Sequence, residues 1–168
     1  DEEVYMTKAQ SSQVGVYVVH HGTFYYINPI GAAYAGYRVD ELIGMSSMLL
    51  VHPDDRELVV RRAKVMLRGK ARTTHVFRIL AKDGQVRWIM ETVTPTRFRG
   101  KKAILGNSMD ITEQKEAQSK LAELEALEAS ILESIPHAVL GLRDRKIFFA
   151  NDGVEKVFGW KPKERIGQ

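Results

Sequence analysis

The residues with the clearest chemical capacity are a histidine and a glutamate on neighbouring predicted strands. In residues 73–81 polar and apolar side chains alternate, and His75 falls on the same face as Phe77. The opposite face carries Arg78, which favours water. Because successive side chains of a strand point to opposite faces, an outward Arg78 turns His75 toward the interior. His75 is therefore predicted to face a cavity.

Glu91 lies on the next predicted strand, within reach of His75. A hairpin turn at residues 82–85 that pairs Ile79 with Ile89 makes His75 and Glu91 diagonal neighbours, close enough for a hydrogen bond. A carboxylate inside an apolar cavity is costly unless it is paired or holds a ligand, so an inward Glu91 predicts a binding site. The alternative is a different register, in which Glu91 lies on the solvated outer face of the sheet.

This pair lacks what catalysis needs. No nucleophile or oxyanion site accompanies it, and the sequence has no Gly-rich phosphate loop or Ser/His/Asp order. We predict no catalytic residue, no metal site and no enzymatic activity. The other histidines fall in turns or exposed segments: His20, His21, His52 and His137. The methionines expected to fill gaps in the core are Met45, Met48, Met66, Met90 and Met109.

Composition removes several further kinds of chemistry. The 168 residues contain no cysteine, which excludes disulfides, Cys-ligated zinc, iron–sulfur clusters and thiol adducts or nucleophiles. With 44% hydrophobic residues, the chain can form one packed domain plus a smaller remainder. No apolar run approaches the roughly 18–20 residues that span a bilayer, and no signal peptide is evident. We expect a cytoplasmic piece of a longer protein, whose other parts could carry a membrane anchor.

Charge is divided into two blocks of opposite sign. Residues 53–102 hold fourteen lysines and arginines against five acidic residues, whereas residues 113–134 hold six glutamates against two lysines. Blocks of opposite sign can satisfy each other across a packing surface. The basic block lacks interleaved aromatic residues and any helix-turn-helix or finger pattern. We therefore predict no nucleic-acid partner.

The elements that must position these residues follow an α+β order. Periodicity predicts a hairpin, short helices, a helix of about four turns, three strands and a long helix. The predicted bounds are a short helix or lead-in at 2–12, strands at 14–19 and 23–27, short helices at 32–36 and 40–43, a helix after the turn at 52–55, strands at 73–81, 86–97 and 103–109, and a helix at 111–134. Ile104, Gly106 and Ser108 share one face of the last strand.

The helix at 113–134 carries an apolar seam. Leu121, Leu124 and Ile131 follow heptad spacing over about three repeats, with Glu128 at one seam position. At about 1.5 Å per residue such a helix is about 33 Å long, which exceeds what a connector within a small domain needs. We predict a coiled-coil linker that forms a homodimer through Leu121, Leu124 and Ile131.

The sequence also contains an internal repeat, seen when the chain is shifted by 123 residues. The chain therefore consists of one complete unit, a helix and the first third of a second unit. Two strands in about 30 residues cannot bury enough surface to be stable alone, so they must be covered either by the first unit of the same chain or, as we expect, by a partner copy. The aligned pairs include Val16 and Val139, Asn28 and Asn151, Gly36 and Gly159, Glu41 and Glu164, and Gly44 and Gly167.

Four segments resemble the PAS family of sensory domains. The segment YYINPIGAAYAGYRVDELIG matches the family's opening motif, and VHPDDR is similar to the turn before its long helix. AKDGQVRWIMETVTPTRFRGKKAILGNSMDIT is similar to the C-terminal PAC segment, and RDRKIFFANDGVEKVFGWKPKERIG resembles the start of another copy. The resemblance implies a PAS/PAC domain at 1–112, a helical linker at 113–134 and the N-terminal part of a second PAS domain at 135–168.

The PAS resemblance implies an α+β fold, in which a five-stranded antiparallel sheet of order 2-1-5-4-3 carries helices on one face. Between helices and sheet PAS domains usually hold a small cavity, and the positions that match Ile89, Glu91 and Val93 face it. The predicted ligand-binding residues are Tyr34, Tyr37, Met48, His75, Phe77, Ile89, Glu91, Val93 and Ser108.

The triplet Asp110, Ile111 and Thr112 ends the PAC segment. In relatives it couples the core to the following helix, so these three residues are predicted to relay the signal. Such modules stand upstream of an effector domain, such as a histidine kinase or a diguanylate cyclase. The resemblance therefore implies a sensory and dimerisation module of a bacterial signal-transduction protein, as in two-component systems, with a small molecule in its cavity.

The resemblance also limits the cofactor. Light-sensing relatives need a cysteine on a short helix, where this chain has the residues MSSM at 45–48, so a cysteinyl-flavin adduct is excluded. Haem-binding relatives place an axial histidine on the long helix, and residues 54–69 contain none, so haem is not expected. Non-covalent flavin and a small organic ligand remain open. The alternatives to ligand sensing are a ligand-free structural dimerisation domain and a redox sensor with non-covalent flavin.

Overall fold

A computed structural model describes residues 13–69 and 73–168, so the lead-in expected at 2–12 lies outside the described residues. The chain divides into two compact units, one that ends at Lys115 and one that runs from Glu116 to Gln168. Within the described part, no helix combines the length and the apolar character required to cross a bilayer.

The first unit is an antiparallel sheet with helices packed against it. Its strands lie in the order β2-β1-β5-β4-β3, which confirms the predicted fold class and strand order. Two short 3-10 turns, Ser47–Leu49 and Pro53–Asp55, precede the longest helix of this unit. The elements are β1 Gly15–His20, β2 Thr23–Ile27, α1 Pro29–Tyr34, α2 Val39–Leu42, α3 Arg56–Gly69, β3 Thr73–Leu80, β4 Val86–Phe98 and β5 Lys101–Asp110.

Asn28 fixes the passage from the first hairpin to the first helix. Its Oδ1 accepts from the backbone N–H of Val16 and of Gly31, each at 2.9 Å, and its Nδ2 donates to the Val14 carbonyl at 2.9 Å. Together with Pro29 at the first helical position, this cap starts α1 at residue 29. The expectation of a helix at 32–36 therefore placed its start three residues too late.

The β3–β4 hairpin has a different register from the predicted one. Phe77, not Ile79, pairs with Ile89, and His75 stands directly opposite Glu91. The cause is a loop of three residues, 82–84, whose last residue, Gly84, has a φ of +83°. The error equals two residues, and because side chains alternate with a period of two, each side chain keeps its predicted face.

The core lies between the helices and one face of the sheet. Apolar side chains from β1, β2, β3 and β4 meet residues of α1 and α2 and of the segment that precedes α3. A smaller cluster lies on the opposite face of the sheet and contains Val16, Val18, Tyr26 and Ala103. The buried side chains of the main core include Val19, Phe24, Leu42, Leu50, Phe77, Ile79 and Ile89.

The long helix α4, Thr112–Ser134, begins in the first unit and continues into the second, where a hairpin and two short helices follow it. The hydrogen bonds of the second unit repeat those of the first unit at the spacing of 123 residues. Asn28 and Val16 exchange backbone and side-chain bonds, and Asn151 and Val139 do the same. The elements are β6 Leu140–Arg143, β7 Lys146–Ala150, α5 Gly153–Phe158 and α6 Pro162–Arg165.

Candidate functional site

A cavity of about 340 Å³ lies inside the first unit, between α3 and the sheet. Most of its lining is aliphatic or aromatic. The structure places eight of the nine predicted ligand-binding residues on its wall: Tyr34, Met48, His75, Phe77, Ile89, Glu91, Val93 and Ser108.

Tyr37 is the exception and does not line the cavity. Its backbone N–H donates to the Ala32 carbonyl at 3.1 Å, which holds it at the end of α1. There its ring packs against the edge of the core, with the Lys82 Nζ 5.3 Å from the ring centroid. The prediction of Tyr37 as a cavity residue is therefore corrected.

A row of polar residues crosses four strands along the floor of the cavity. His75 on β3 pairs with Glu91 on β4, Glu91 pairs with Ser108 on β5, and Ser108 pairs with Gly15 on β1. The Ser108 hydroxyl donates to the Gly15 carbonyl at 3.3 Å. Residues distant in sequence thus meet at one level of the sheet, because the pairing of antiparallel strands aligns them.

Tyr17 completes this polar row, and sequence reasoning missed it. Its hydroxyl donates to Glu91 Oε2 at 2.5 Å. Its ring lies across Gly106, its partner on β5, and a Cβ at that position would overlap the ring. An aromatic residue opposite a glycine was the available signal, and it required the register between β1 and β5.

Burial dominates the electrostatics of this row. Glu91 is only 7% exposed, and burial raises its pKa to about 7, while the hydrogen bond from Tyr17 acts in the opposite direction. Burial and then the neighbouring Glu91 raise the pKa of Tyr17 well above its usual value. Burial, together with the nearby Arg62, lowers the pKa of His75. Burial therefore favours the neutral forms of Glu91, Tyr17 and His75.

The cationic side chains of the cavity wall lie on α3, opposite the sheet, and Arg62 is close enough to His75 to affect its pKa. Arg62 and Lys64 contribute to the wall, and Arg62 Nη1 donates to the Val76 carbonyl at 3.4 Å. Among residues 13–69 and 73–168 no cluster of three His, Asp or Glu side chains could hold a metal ion. The cavity can hold a molecule with a largely apolar body and one hydrogen-bond donor group, which Glu91 can accept from.

The start of α4 is bonded directly to β4. The Trp88 carbonyl accepts from the Ile111 N–H, and the Trp88 N–H donates to Thr112 Oγ1, both at 2.9 Å. Asp110 Oδ1 accepts from both the N–H and the hydroxyl of Thr112, and its other oxygen lies 3.4 Å from Arg87 Nη1. All three residues of the predicted relay triplet therefore participate in the junction of strand and helix.

The Trp88 ring adds a second link on the outer face of the sheet. The Arg78 guanidinium lies 5.7 Å from the ring centroid and the Lys115 Nζ 5.4 Å from it. Arg78 in turn forms a bidentate ion pair with Asp55, just before α3. A chain of contacts thus runs from the start of α3, which borders the cavity, to the first turn of α4.

Four apolar side chains of α4 are each more than half exposed. They are Leu121, Leu124, Leu127 and Ile131. Three of them are the predicted seam residues.

Comparison with known proteins identifies the first unit. Residues 24–105 match the sequence model of the PAS fold. The first unit is a PAS domain. A comparison with curated proteins found no match.

Solved PAS structures superpose on this PAS domain. A PAS domain from Colwellia psychrerythraea is 24% identical, with a TM-score of 0.60, and the alignment covers 67% of this chain and 99% of that one. A sensory box histidine kinase/response regulator from Burkholderia thailandensis is 23% identical, with a TM-score of 0.56 and coverages of 76% and 97%. A light-oxygen-voltage domain studied with a flavin analogue is 21% identical, with a TM-score of 0.57 and coverages of 73% and 96%. These likenesses establish a shared fold.

Proposed function

We propose that this PAS domain senses a small molecule in its cavity and passes the state of the cavity to α4, within a bacterial signal-transduction protein. The observation that carries the proposal is the cavity of about 340 Å³ with Glu91 and Tyr17 bonded on its floor. Buried polar groups inside an apolar cavity are typical of ligand sites, because they orient what binds. The likeness to a sensory histidine kinase supports the signalling context.

The relay follows from the position of Glu91 on β4. Glu91 faces the cavity, and Trp88 lies three residues earlier on the same strand. The Trp88 backbone holds the start of α4 by two hydrogen bonds, one with the Ile111 N–H and one with the Thr112 hydroxyl. A shift of β4 on ligand binding would therefore move the first turn of α4. Asp110 and Thr112 transmit that movement because their mutual hydrogen bonds fix the helix start.

The residues that line the cavity favour ligand sensing over the binding of a flavin. Non-covalent flavin needs amide-type partners, and the described residues that line the cavity include no asparagine or glutamine. Without any cysteine, the chain forms no cysteinyl adduct with a flavin.

Dimerisation through α4 is a second proposed function, because the seam of α4 exposes leucine and isoleucine side chains to water. A parallel pair of helices would cover them, and residues 113–134 would then act as a coiled-coil linker. The repeated hydrogen bonds at Asn151 support residues 135–168 as the start of a second PAS domain. An effector domain would follow in the parent protein.

Extraction of the purified chain tests ligand sensing. The protein is scanned for visible absorbance and denatured, and its supernatant is analysed by mass spectrometry. A colourless protein that releases a small molecule supports ligand sensing. The yellow absorption of oxidised flavin would instead support the redox alternative, and an empty supernatant the structural one.

Light scattering at micromolar concentration tests dimerisation. The expected mass is about twice the 19.0 kDa of one chain. Leu121→Lys combined with Leu124→Lys should yield monomers, because charges would replace the apolar seam. Ala126→Lys, on the opposite side of the helix by heptad spacing, is the matched control and should leave the dimer intact. A monomeric wild type would reject this proposal.

A further inference from the structure

Glu91 is a buried carboxylate without a cationic partner among the described residues. Its Oε2 accepts from the hydroxyl of Tyr17, and its partners across the sheet are Ser108 and His75. Burial and Arg62 both favour the neutral form of His75. The described residues form no ion pair with Glu91, even though Arg62 and Lys64 contribute to the wall. When Glu91 is ionised, no described residue therefore compensates its negative charge.

An uncompensated carboxylate in an apolar site is costly, and a cation placed beside it removes most of that cost. A ligand can supply this cation. A bound carboxylate ligand would have the opposite effect, because two like charges would then share one apolar space. The position beside Glu91 thus discriminates between ligand groups by the sign of their charge, while Arg62 and Lys64 lie on α3.

We propose that the cavity binds a small apolar amine, whose ammonium group is held by Glu91 and whose hydrocarbon body packs against Phe77, Ile89 and Val93. The proposal rests on the proposed sensing function and names its ligand class. An ammonium group has three N–H donors. The polar row offers three acceptors on one side of the cavity: the Glu91 carboxylate, the Ser108 hydroxyl and the Tyr17 hydroxyl oxygen.

The volume of the cavity limits the size of the apolar part of the ligand. A volume of about 340 Å³ lies at the lower end of the range for small-molecule sites, which suits one ring or a short chain. Benzylamine, benzyl alcohol and benzoate form a matched set of probes, because they share a phenyl ring and differ in the charge of the head group.

Calorimetric titration of the whole chain with these probes at about pH 8, where Glu91 is largely ionised, tests the amine class. Benzylamine should bind at least about tenfold more tightly than benzyl alcohol, since a charge-assisted hydrogen bond is stronger than a neutral one. Benzoate should bind most weakly. Glu91→Gln should reduce the affinity for benzylamine to that for benzyl alcohol. Glu57→Gln removes an exposed carboxylate from α3 and should change neither affinity.

Ser108→Ala provides a second variant in case Glu91→Gln fails to fold. It should weaken benzylamine binding severalfold and leave benzyl alcohol unchanged. Equal binding of benzylamine and benzyl alcohol, or an amine preference that survives Glu91→Gln, would overturn the amine class while the sensing cavity stands. If no probe binds but extraction releases another small molecule, the amine class alone fails. If no probe binds and extraction releases nothing, ligand sensing fails as well.

Discussion

The hairpins β1–β2 and β6–β7 share a pattern of hydrogen bonds but belong to sheets of different size. In both, a fully buried asparagine follows the second strand and binds the backbone of the first: Asn28 accepts from Val16, and Asn151 accepts from Val139. In the first unit three further strands close the sheet. In the second unit the described residues form a sheet of two strands, β6 and β7.

The difference appears in the burial of matched positions. Val19 and Ala35 of the first unit are buried, whereas the residues 123 positions later, Leu142 and Phe158, are more than half exposed. Local hydrogen bonds are therefore enough to shape the hairpin, while β3, β4 and β5 are needed to bury its apolar face. The same three strands carry His75, Glu91 and Ser108. The chemistry of the cavity thus belongs to the first unit.

Replacement of Asn28 should have the largest effect on the unfolding free energy. Asn28→Ala leaves Val16 and Gly31 without their acceptor, and an unsatisfied buried backbone group costs about 1–3 kcal/mol, so we expect a loss of about 4 kcal/mol in unfolding free energy. Denaturant titration measures it. Asn28→Asp keeps the acceptor and should cost less.

Asn151→Ala tests whether the two units are stabilised independently. Hydrogen exchange should accelerate in residues 135–168 and remain unchanged in β3, β4 and β5. A uniform acceleration in both units would contradict the view that each hairpin is held by its own asparagine.

Glu91 should give the next largest effect, as a dependence of stability on pH. Its pKa is raised from 4.5 to about 7 in the folded state, so the carboxyl destabilises the fold progressively as pH rises through this window. Relative to Glu91→Gln, the wild type should lose about 3 kcal/mol of unfolding free energy between about pH 4.5 and about pH 8. Denaturant titrations of both proteins check this difference. A difference independent of pH would contradict the buried position of Glu91.

Gly106→Ala should destabilise the first unit by about 2 kcal/mol, because the new methyl group overlaps the Tyr17 ring. The ring must then move, and its hydrogen bond to Glu91 is lost. A double-mutant cycle with Tyr17→Leu tests the cause. If Gly106→Ala costs as much in the Tyr17→Leu background, the overlap with the ring is not the reason.

Asp110→Ala should have the smallest effect on stability, about 1 kcal/mol, because it removes the cap of α4 and a long, partly exposed ion pair with Arg87 that contributes little. Amides in the first turn of α4 should exchange faster, and in the parent protein the output should be uncoupled from the ligand without loss of folding. Asp83→Ala removes a similar side-chain bond, to Gln85, from the β3–β4 turn and should leave α4 unchanged. An unaltered dose response of Asp110→Ala would count against the relay.

The sequence predicts local features of the site better than long-range ones. Alternation assigned the face of His75 because it depends only on neighbours within one strand, whereas the inward face of Glu91 was favoured by its match to PAS positions that face the cavity. The hairpin register was wrong because it depends on the length of the loop, which has three residues, 82–84, whereas the pairing of Ile79 with Ile89 needs five. Tyr17 was missed because its contact with Gly106 depends on pairing between strands that are distant in sequence. Tyr37 was misplaced because its position depends on where α1 ends.

The resemblance to PAS domains supplied the strand order, which periodicity alone does not determine. The repeat in the sequence located the second hairpin, since the same turn and asparagine recur. The burial of Glu91 and its partnership with Tyr17 required the folded structure, because both arise from the joining of three strands.

Hydrogen exchange at the start of α4 is the most direct test of coupling between the cavity and the helix. Two samples are compared: the chain loaded with the small molecule that extraction identifies, and the same chain after that molecule has been removed by unfolding, dialysis and refolding. The amides of residues 112–115 should exchange faster after the small molecule has been removed, because β4 then holds Ile111 and Thr112 less firmly. Identical exchange at these residues, despite loss of the molecule, would contradict coupling between the cavity and the helix.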